Sequence, residues 1–155
     1  MSVETAKKWL ERFGFGERVR EFDVSSATVP LAALALGVAE ARIAKTLSFL
    51  DGEACFLVVA AGDARIDNRK FRDCFHVKAK MPTPEQVADK VGHPVGGVCP
   101  FGVREGVAVY LDNSLRRFET VFPAAGSGSS AVELTPEELY SCSGALGWVD
   151  VCRLP

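Results

Sequence analysis

Two apolar runs, Ala41 to Leu50 and Glu53 to Ala61, meet at Asp51-Gly52, and this pairing constrains the chain more than any other feature. An Asp-Gly step between such runs favours a tight β-hairpin, because glycine accepts the positive φ that the turn requires. Period two places Ile43, Lys45, Leu47 and Phe49 on one strand face and Ala44, Thr46, Ser48 and Leu50 on the other. One ammonium therefore shares a face with three large apolar groups. An unpaired ammonium in apolar surroundings is costly. Lys45 either carries its tip to water at the sheet edge, or points into a pocket where an anionic or polarised group meets it.

The remaining elements are read from the same kind of pattern. Val3 to Phe13 has helical spacing closed by Gly14 and Gly16, and Val19 to Val24 predicts a short strand. Ser26 or Thr28 caps a second helix ending at Gly37, and Asp67 to Phe75 predicts a third. Thr83-Pro84-Glu85-Gln86 and Thr135-Pro136-Glu137-Glu138 each spell a capping box with proline at the first helical position. Strands are expected over 107–111, 120–125, 131–134 and 148–152, with 114–117 ambiguous. The sum predicts one α+β domain over residues 1–155, with a largely antiparallel or mixed sheet or barrel-like core flanked by helices.

At 155 residues and 48% hydrophobic content, the chain can bury a full core. A net charge of −2 gives no global basic signature, so any nucleic-acid contact must come from a local patch. The stretch from Arg65 to Lys80 holds the candidates: Arg69, Lys70, Arg72, Lys78 and Lys80 could meet tRNA phosphates, or simply form a solvated helix face. The N-terminus lacks a secretory apolar region, and no apolar run reaches membrane-spanning length, so no membrane partner is expected. Five widely spaced cysteines without a CxxC pair fit a reducing cytoplasm and give no zinc signature.

Gly96-Gly97-Val98-Cys99-Pro100-Phe101-Gly102 is the chemically suggestive stretch. Its glycines allow close backbone approach, and Pro100 pushes Cys99 toward an extended conformation. Consecutive amides at Gly96, Gly97 and Val98 can converge as a nest for a polarised oxygen. A tight helix-to-strand turn explains the same residues.

Together, Ile43-Ala44-Lys45-Thr46-Leu47-Ser48-Phe49, Gly92-His93-Pro94-Val95 with the loop through Gly102, Val109-Tyr110-Leu111-Asp112 and Phe118 to Ser127 resemble the YbaK/ProX-type aminoacyl-tRNA deacylases. This family includes the editing domain of bacterial prolyl-tRNA synthetase. The resemblance covers nearly the whole chain, and the lysine strand and GxxxP loop are its specific parts. It implies a small mixed α/β domain that hydrolyses the ester of mischarged tRNA in trans, such as alanyl- or cysteinyl-tRNA(Pro), without metal or cofactor. Its expected partners are the tRNA acceptor end and prolyl-tRNA synthetase. Lys45 would hold the aminoacyl-adenosine end, and Gly96, Gly97, Val98 and Pro100 would form the loop whose amides meet the reacting carbonyl. Relatives often carry serine where this chain has Cys99, which puts a role for that hydroxyl in doubt.

Further substrate contacts are expected from Thr46, Phe49, His93, Cys99, Phe101, Asp112, Ser127 and Ser129. Asp112, Ser127 and Ser129 are equally explained as turn formers. Cys99 as a nucleophile with His93 as base is a weaker enzymatic alternative. A non-catalytic aminoacyl- or nucleotide-binding regulator of the same fold is the alternative from a different class. His76, alternating with apolar neighbours, is expected on an exposed strand.

Overall fold

A computed structural model describes residues 2–155. The elements in chain order are α1 (Ser2–Glu11), β1 (Arg20–Glu21), α2 (Val29–Leu36), β2 (Ile43–Asp51), β3 (Ala54–Ala61), β4 (Arg65–Ile66), α3 (Asn68–Phe75), α4 (Pro84–Val91), β5 (Ala108–Asp112), β6 (Phe122–Pro123), β7 (Ser130–Ala131), α5 (Pro136–Ser143), β8 (Trp148–Val149) and β9 (Cys152–Arg153). Three short 3-10 turns complete the set, one of them at Asn113–Arg117 where the sequence was ambiguous.

The main sheet has the order β6-β2-β3-β5-β8 and is mixed. Only the β2–β3 hairpin pairs antiparallel; β6 on β2, β5 on β3 and β8 on β5 are parallel. Two small antiparallel ladders, β1–β7 and β4–β9, tie the periphery together. The chain is thus an α+β domain built around the hairpin that its sequence announces. Register opposes Lys45 to Ala60, Leu47 to Val58 and Phe49 to Phe56, so these residues share a face. On it, Phe49 and Phe56 pack against Phe71 of α3, with ring centroids 4.7 and 6.0 Å apart. The opposite face carries Ala44, Thr46 and Ser48, opposed to Ala61, Val59 and Leu57.

Local chemistry fixes the helix ends. Thr28, not Ser26, caps α2 by accepting from the Leu31 amide, and Gly37 closes it in the left-handed region. Asp67 caps α3, and both Thr-Pro capping boxes form. Several strands are shorter than expected: 120–125 contributes only Phe122–Pro123, and 148–152 divides between β8 in the main sheet and β9 in a separate ladder. His76 is not on a strand. It ends α3 at φ 61°, its amide donating to the Arg72 carbonyl.

Pro123 pairs with Ala44 as β6 ends, so β6 covers only Ile43 and Ala44 on the outer side of β2. A proline carries no amide hydrogen to continue such a ladder. The next backbone contact on that side is the Leu50 amide donating to the Lys80 carbonyl at 2.8 Å. Between them, the outer margin of β2 borders a cavity.

Candidate functional site

The cavity measures about 330 Å³. Residues 44–48 of β2, α2, the start of α4, the 95–98 loop and the Phe122 to Ala131 region line it. Its walls are mainly apolar, and Ala27, Ala32, Ala44, Ala124 and Ala131 are among them. Lys45, Thr46, Gly96 and Val98 all border it, so the lysine strand and the glycine loop share one space.

The half-buried Lys45 ammonium borders the cavity and is met by polarised groups of the backbone rather than by an anion. It donates to the carbonyl oxygens of Gly62, at 3.3 Å, and Ala64, where the chain leaves β3. Burial lowers its pKa, opposed by the nearby Cys152 and Asp63 and reinforced by Arg65. Asp63 itself is engaged by Arg117 at 2.6 Å. Lys45 thus holds its charge against backbone dipoles rather than against a carboxylate of its own.

The glycine loop is held from behind. Gly96 adopts φ 92°, in the left-handed region that favours glycine. Gly97 packs so tightly that a Cβ there would lie 2.5 Å from Ser127 Cα. The Gly97 amide donates to the Pro94 carbonyl at 3.0 Å, and Gly97 does not line the cavity. The amides of Gly96 and Val98 donate to no acceptor among the described residues, and both residues border the cavity. The loop therefore offers two free donors from lining residues where three consecutive ones were expected.

His93, Cys99 and Phe101 lie beneath the loop, fully buried and outside the cavity lining. His93 Nε2 donates to the Phe101 carbonyl at 2.7 Å in the tautomer that this contact requires. Cys99 Sγ is 3.6 Å from the same nitrogen. Burial lowers the His93 pKa and pushes the Cys99 thiol up to about 12. The pair is in contact, as a nucleophile and base would be, yet neither residue lines the cavity and burial disfavours the thiolate. Pro100 is buried with them.

Other expected contacts fall elsewhere. Phe49 belongs to the aromatic core. Asp112 accepts from the Ser114 and Val151 amides, each at 2.9 Å, and so serves the fold. Ser127 and Ser129 form a turn: Ser127 Oγ accepts from the Ser129 amide and contacts Ser130 Oγ. Among the basic residues, Lys70 is drawn to Asp150 and the Cys152 carbonyl, both at 3.1 Å. Arg69 and Arg72 are exposed on α3, and Lys78 and Lys80 are exposed on the segment leading to Met81 and Pro82 at the cavity.

Ser26, expected only as a helix cap, is one of many lining residues that sequence reasoning missed, with Ser48, Met81 and Ser130 among the others. Ser26 Oγ and Thr46 Oγ1 are buried without a hydrogen-bond partner among the described residues. No local motif marks such a hydroxyl, since its status depends on which neighbours fail to arrive. Among the described residues, no group of three or more His, Cys, Asp or Glu side chains is arranged to hold a metal ion, and no helix is long and apolar enough to cross a membrane.

Comparison with known proteins gives this geometry a family. Residues 24–142 match the model of the aminoacyl-tRNA editing domain. Uncharacterized protein YwhH of Bacillus subtilis (strain 168) is 50% identical over 154 residues, covering 99% of this chain and 98% of its own. The proline–tRNA ligase of the same organism is 29% identical over 91 residues, covering 58% of this chain and 16% of the ligase. Among solved structures, a candidate trans-editing enzyme for prolyl tRNA synthetase superposes with a TM-score of 0.88 at 31% identity, covering 98% of this chain and 97% of that one. The hypothetical protein APE2540 gives 0.85 at 28% identity, covering 96% of this chain and 99% of that one. With the matched region running from just before Ser26 through the lysine strand and the GxxxP loop to α5, the chain belongs to the aminoacyl-tRNA editing domain family.

Proposed function

We propose that this protein is a trans-acting deacylase that hydrolyses the ester between a small misattached amino acid and tRNA, with alanyl- or cysteinyl-tRNA(Pro) as the substrates expected from its relatives. The observation that carries this reading is the shared border of Lys45, Gly96 and Val98 on one cavity.

Water attacks the ester carbonyl carbon, the oxygen takes on negative charge, and the bond to the ribose oxygen then breaks. The attacking water's proton passes to that leaving oxygen, giving free amino acid and a tRNA hydroxyl. The Gly96 and Val98 amides supply preorganised donors to the developing oxyanion, and losing one such donor typically costs about 2.7–4 kcal/mol. Lys45 anchors the aminoacyl-adenosine end, its cation fixed by the Gly62 and Ala64 carbonyls. Because the ester is already activated, positioning by these groups removes the need for a side-chain nucleophile or a metal. Exposed Arg69, Arg72, Lys78 and Lys80, with Lys70, meet tRNA phosphates, and prolyl-tRNA synthetase is the partner from which the mischarged tRNA comes.

A panel of mischarged tRNAs tests this directly. Release of amino acid from at least one, fast against spontaneous hydrolysis and dependent on Lys45, is expected. Binding to aminoacyl-tRNA with no release would instead identify a non-catalytic binder.

A further inference from the structure

Strand pairing fixes the Lys45 backbone opposite Ala60, whereas the tip of its four-carbon stem is held by the turn that leaves β3. In that turn the Gly62 and Ala64 carbonyls both accept from the ammonium, the first at 3.3 Å, and Asp63 lies between them in the chain. Two carbonyls on either side of one residue can meet a single cation only while the turn keeps its shape. The Ala64 amide closes it by donating to the Ala61 carbonyl at 3.0 Å. Gly62 is pressed against the chain before β2, since a Cβ there would lie 2.0 Å from the Glu40 carbonyl oxygen.

The 3-10 turn at Asn113–Arg117 grips the same segment twice. Ser114 Oγ accepts from the Ala61 amide at 3.0 Å, and the Arg117 guanidinium takes both Asp63 carboxylate oxygens, at 2.6 and 3.2 Å. Arg117 is itself fixed, its Nε donating to the Ser114 carbonyl at 2.9 Å, while Asp112 caps its turn by accepting from the Ser114 amide. A fork of two bonds sets direction as well as distance. The guanidinium holds the Asp63 carboxyl below its ordinary range, so the pair stays charged at neutral pH. Both side chains are partly exposed, and an ion pair in such a setting contributes little stability of its own. Neither residue lines the cavity. Their effect is on geometry, and a misplacement of about 1 Å caused from outside a reacting centre can cost about a hundredfold in rate.

Resting on the deacylase reading, we propose that Asp63 and Arg117 are positioning residues, whose ion pair fixes the 62–64 turn and so holds the Lys45 ammonium at the cavity border where the aminoacyl end of the substrate is anchored. The guanidinium is spent within the protein on Asp63 and Ser114, which sets Arg117 apart from the exposed cations assigned to tRNA phosphates.

The amine can be followed without substrate, by acylation with a limiting N-hydroxysuccinimide ester read lysine by lysine through peptide mass spectrometry. Arg117→Gln and Asp63→Asn should each speed acylation of Lys45 at least threefold, with the exposed Lys7 and Lys78 unchanged. Hydrolysis of a minimal aminoacyl-adenosine ester, which carries no tRNA phosphates, should fall at least fivefold in each variant. Added to Lys45→Ala, either change should cost less than twofold, because the group it positions is gone. Unchanged acylation of Lys45, or a rise shared equally by all three lysines, overturns the proposal. So does a rate loss that persists in full without Lys45, or one confined to tRNA substrates, which would make Arg117 a phosphate contact. Faster acylation of Lys45 in variants of a parent that hydrolyses no aminoacyl ester would overturn the deacylase reading alone.

Discussion

Gly97 and the backbone of Ser127 are in such close apposition that a Cβ on the glycine would come within 2.5 Å of the serine Cα. Two loops distant in sequence thereby lie in direct contact, and the first carries the free amides on either side of Gly97. Gly97→Ala forces them apart without touching a lining side chain. Overpacking of this kind costs about 1–3 kcal/mol, and deacylation should fall with it. Gly147→Ala, where nothing lies within 4 Å of the new carbon, is the control and should leave melting temperature and rate nearly unchanged. Equal melting temperatures for the two variants would show that the apposition is not tight.

Lys45→Ala removes the one cation of the cavity lining and leaves the Gly62 and Ala64 carbonyls without their donor. Deacylation is expected to fall at least tenfold under single-turnover conditions. A rate within twofold of the parent removes Lys45 from the mechanism.

Cys99 is fully buried with its thiol pushed up to about 12, whereas Cys74 is exposed. Alkylation with iodoacetamide should therefore modify Cys74 first and spare activity, and Cys99→Ala should keep the rate within about threefold. Abolished turnover in a folded Cys99→Ala protein would reinstate the thiol as nucleophile.

Burial disfavours the charged form of His93, opposed by its bond to the Phe101 carbonyl. The unfolded chain takes up this proton more readily than the folded one, so stability is fully present above the ordinary imidazole value of about 6.5. It is lost as pH falls from there through the lower folded value. Melting temperatures between pH 8 and pH 5 should decline below that point, and less steeply for His93→Gln. Parallel profiles would assign the decline to other groups.

Phosphate binding by the exposed cations predicts that Arg72→Glu and Lys80→Glu weaken tRNA binding. Each should also lower the slope of log affinity against log salt by about one for every phosphate that is no longer neutralised. Hydrolysis of a minimal aminoacyl-adenosine substrate should be untouched. Salt slopes equal to the parent's would leave both residues as ordinary solvated charges.

The elements that could be read in the sequence were those whose cause is local. Thr83 and Gln86, or Thr135 and Glu138, carry their helix start within four residues, and Asp51-Gly52 carries its hairpin within two. The parallel pairing of β5 and β8 could not be read in that way, because it depends on residues far apart in the chain. His76 shows the same limit. Alternation with Phe75 and Val77 suggested a strand, but the helix capped by Asp67 runs into it and needs a left-handed residue to stop. At the site, Lys45 and the glycine loop stood out as conflicts with their surroundings. Which amides stay free was not legible, because the Pro94 carbonyl that engages Gly97 lies in a turn with no distinctive motif. Ser26 was hidden for a related reason: its neighbour Thr28 took the capping role that either could have filled.

The brevity of β6 has a consequence of its own. A sheet border normally invites another strand, and here Pro123 halts that growth after two residues, leaving the margin of β2 vacant beside the lysine. The berth is framed by the strand margin and by several alanines, which have no rotamers to lose. A guest lodging there need freeze few rotamers of its host, and so a domain this small can present a stiff mould to one end of a much larger ligand.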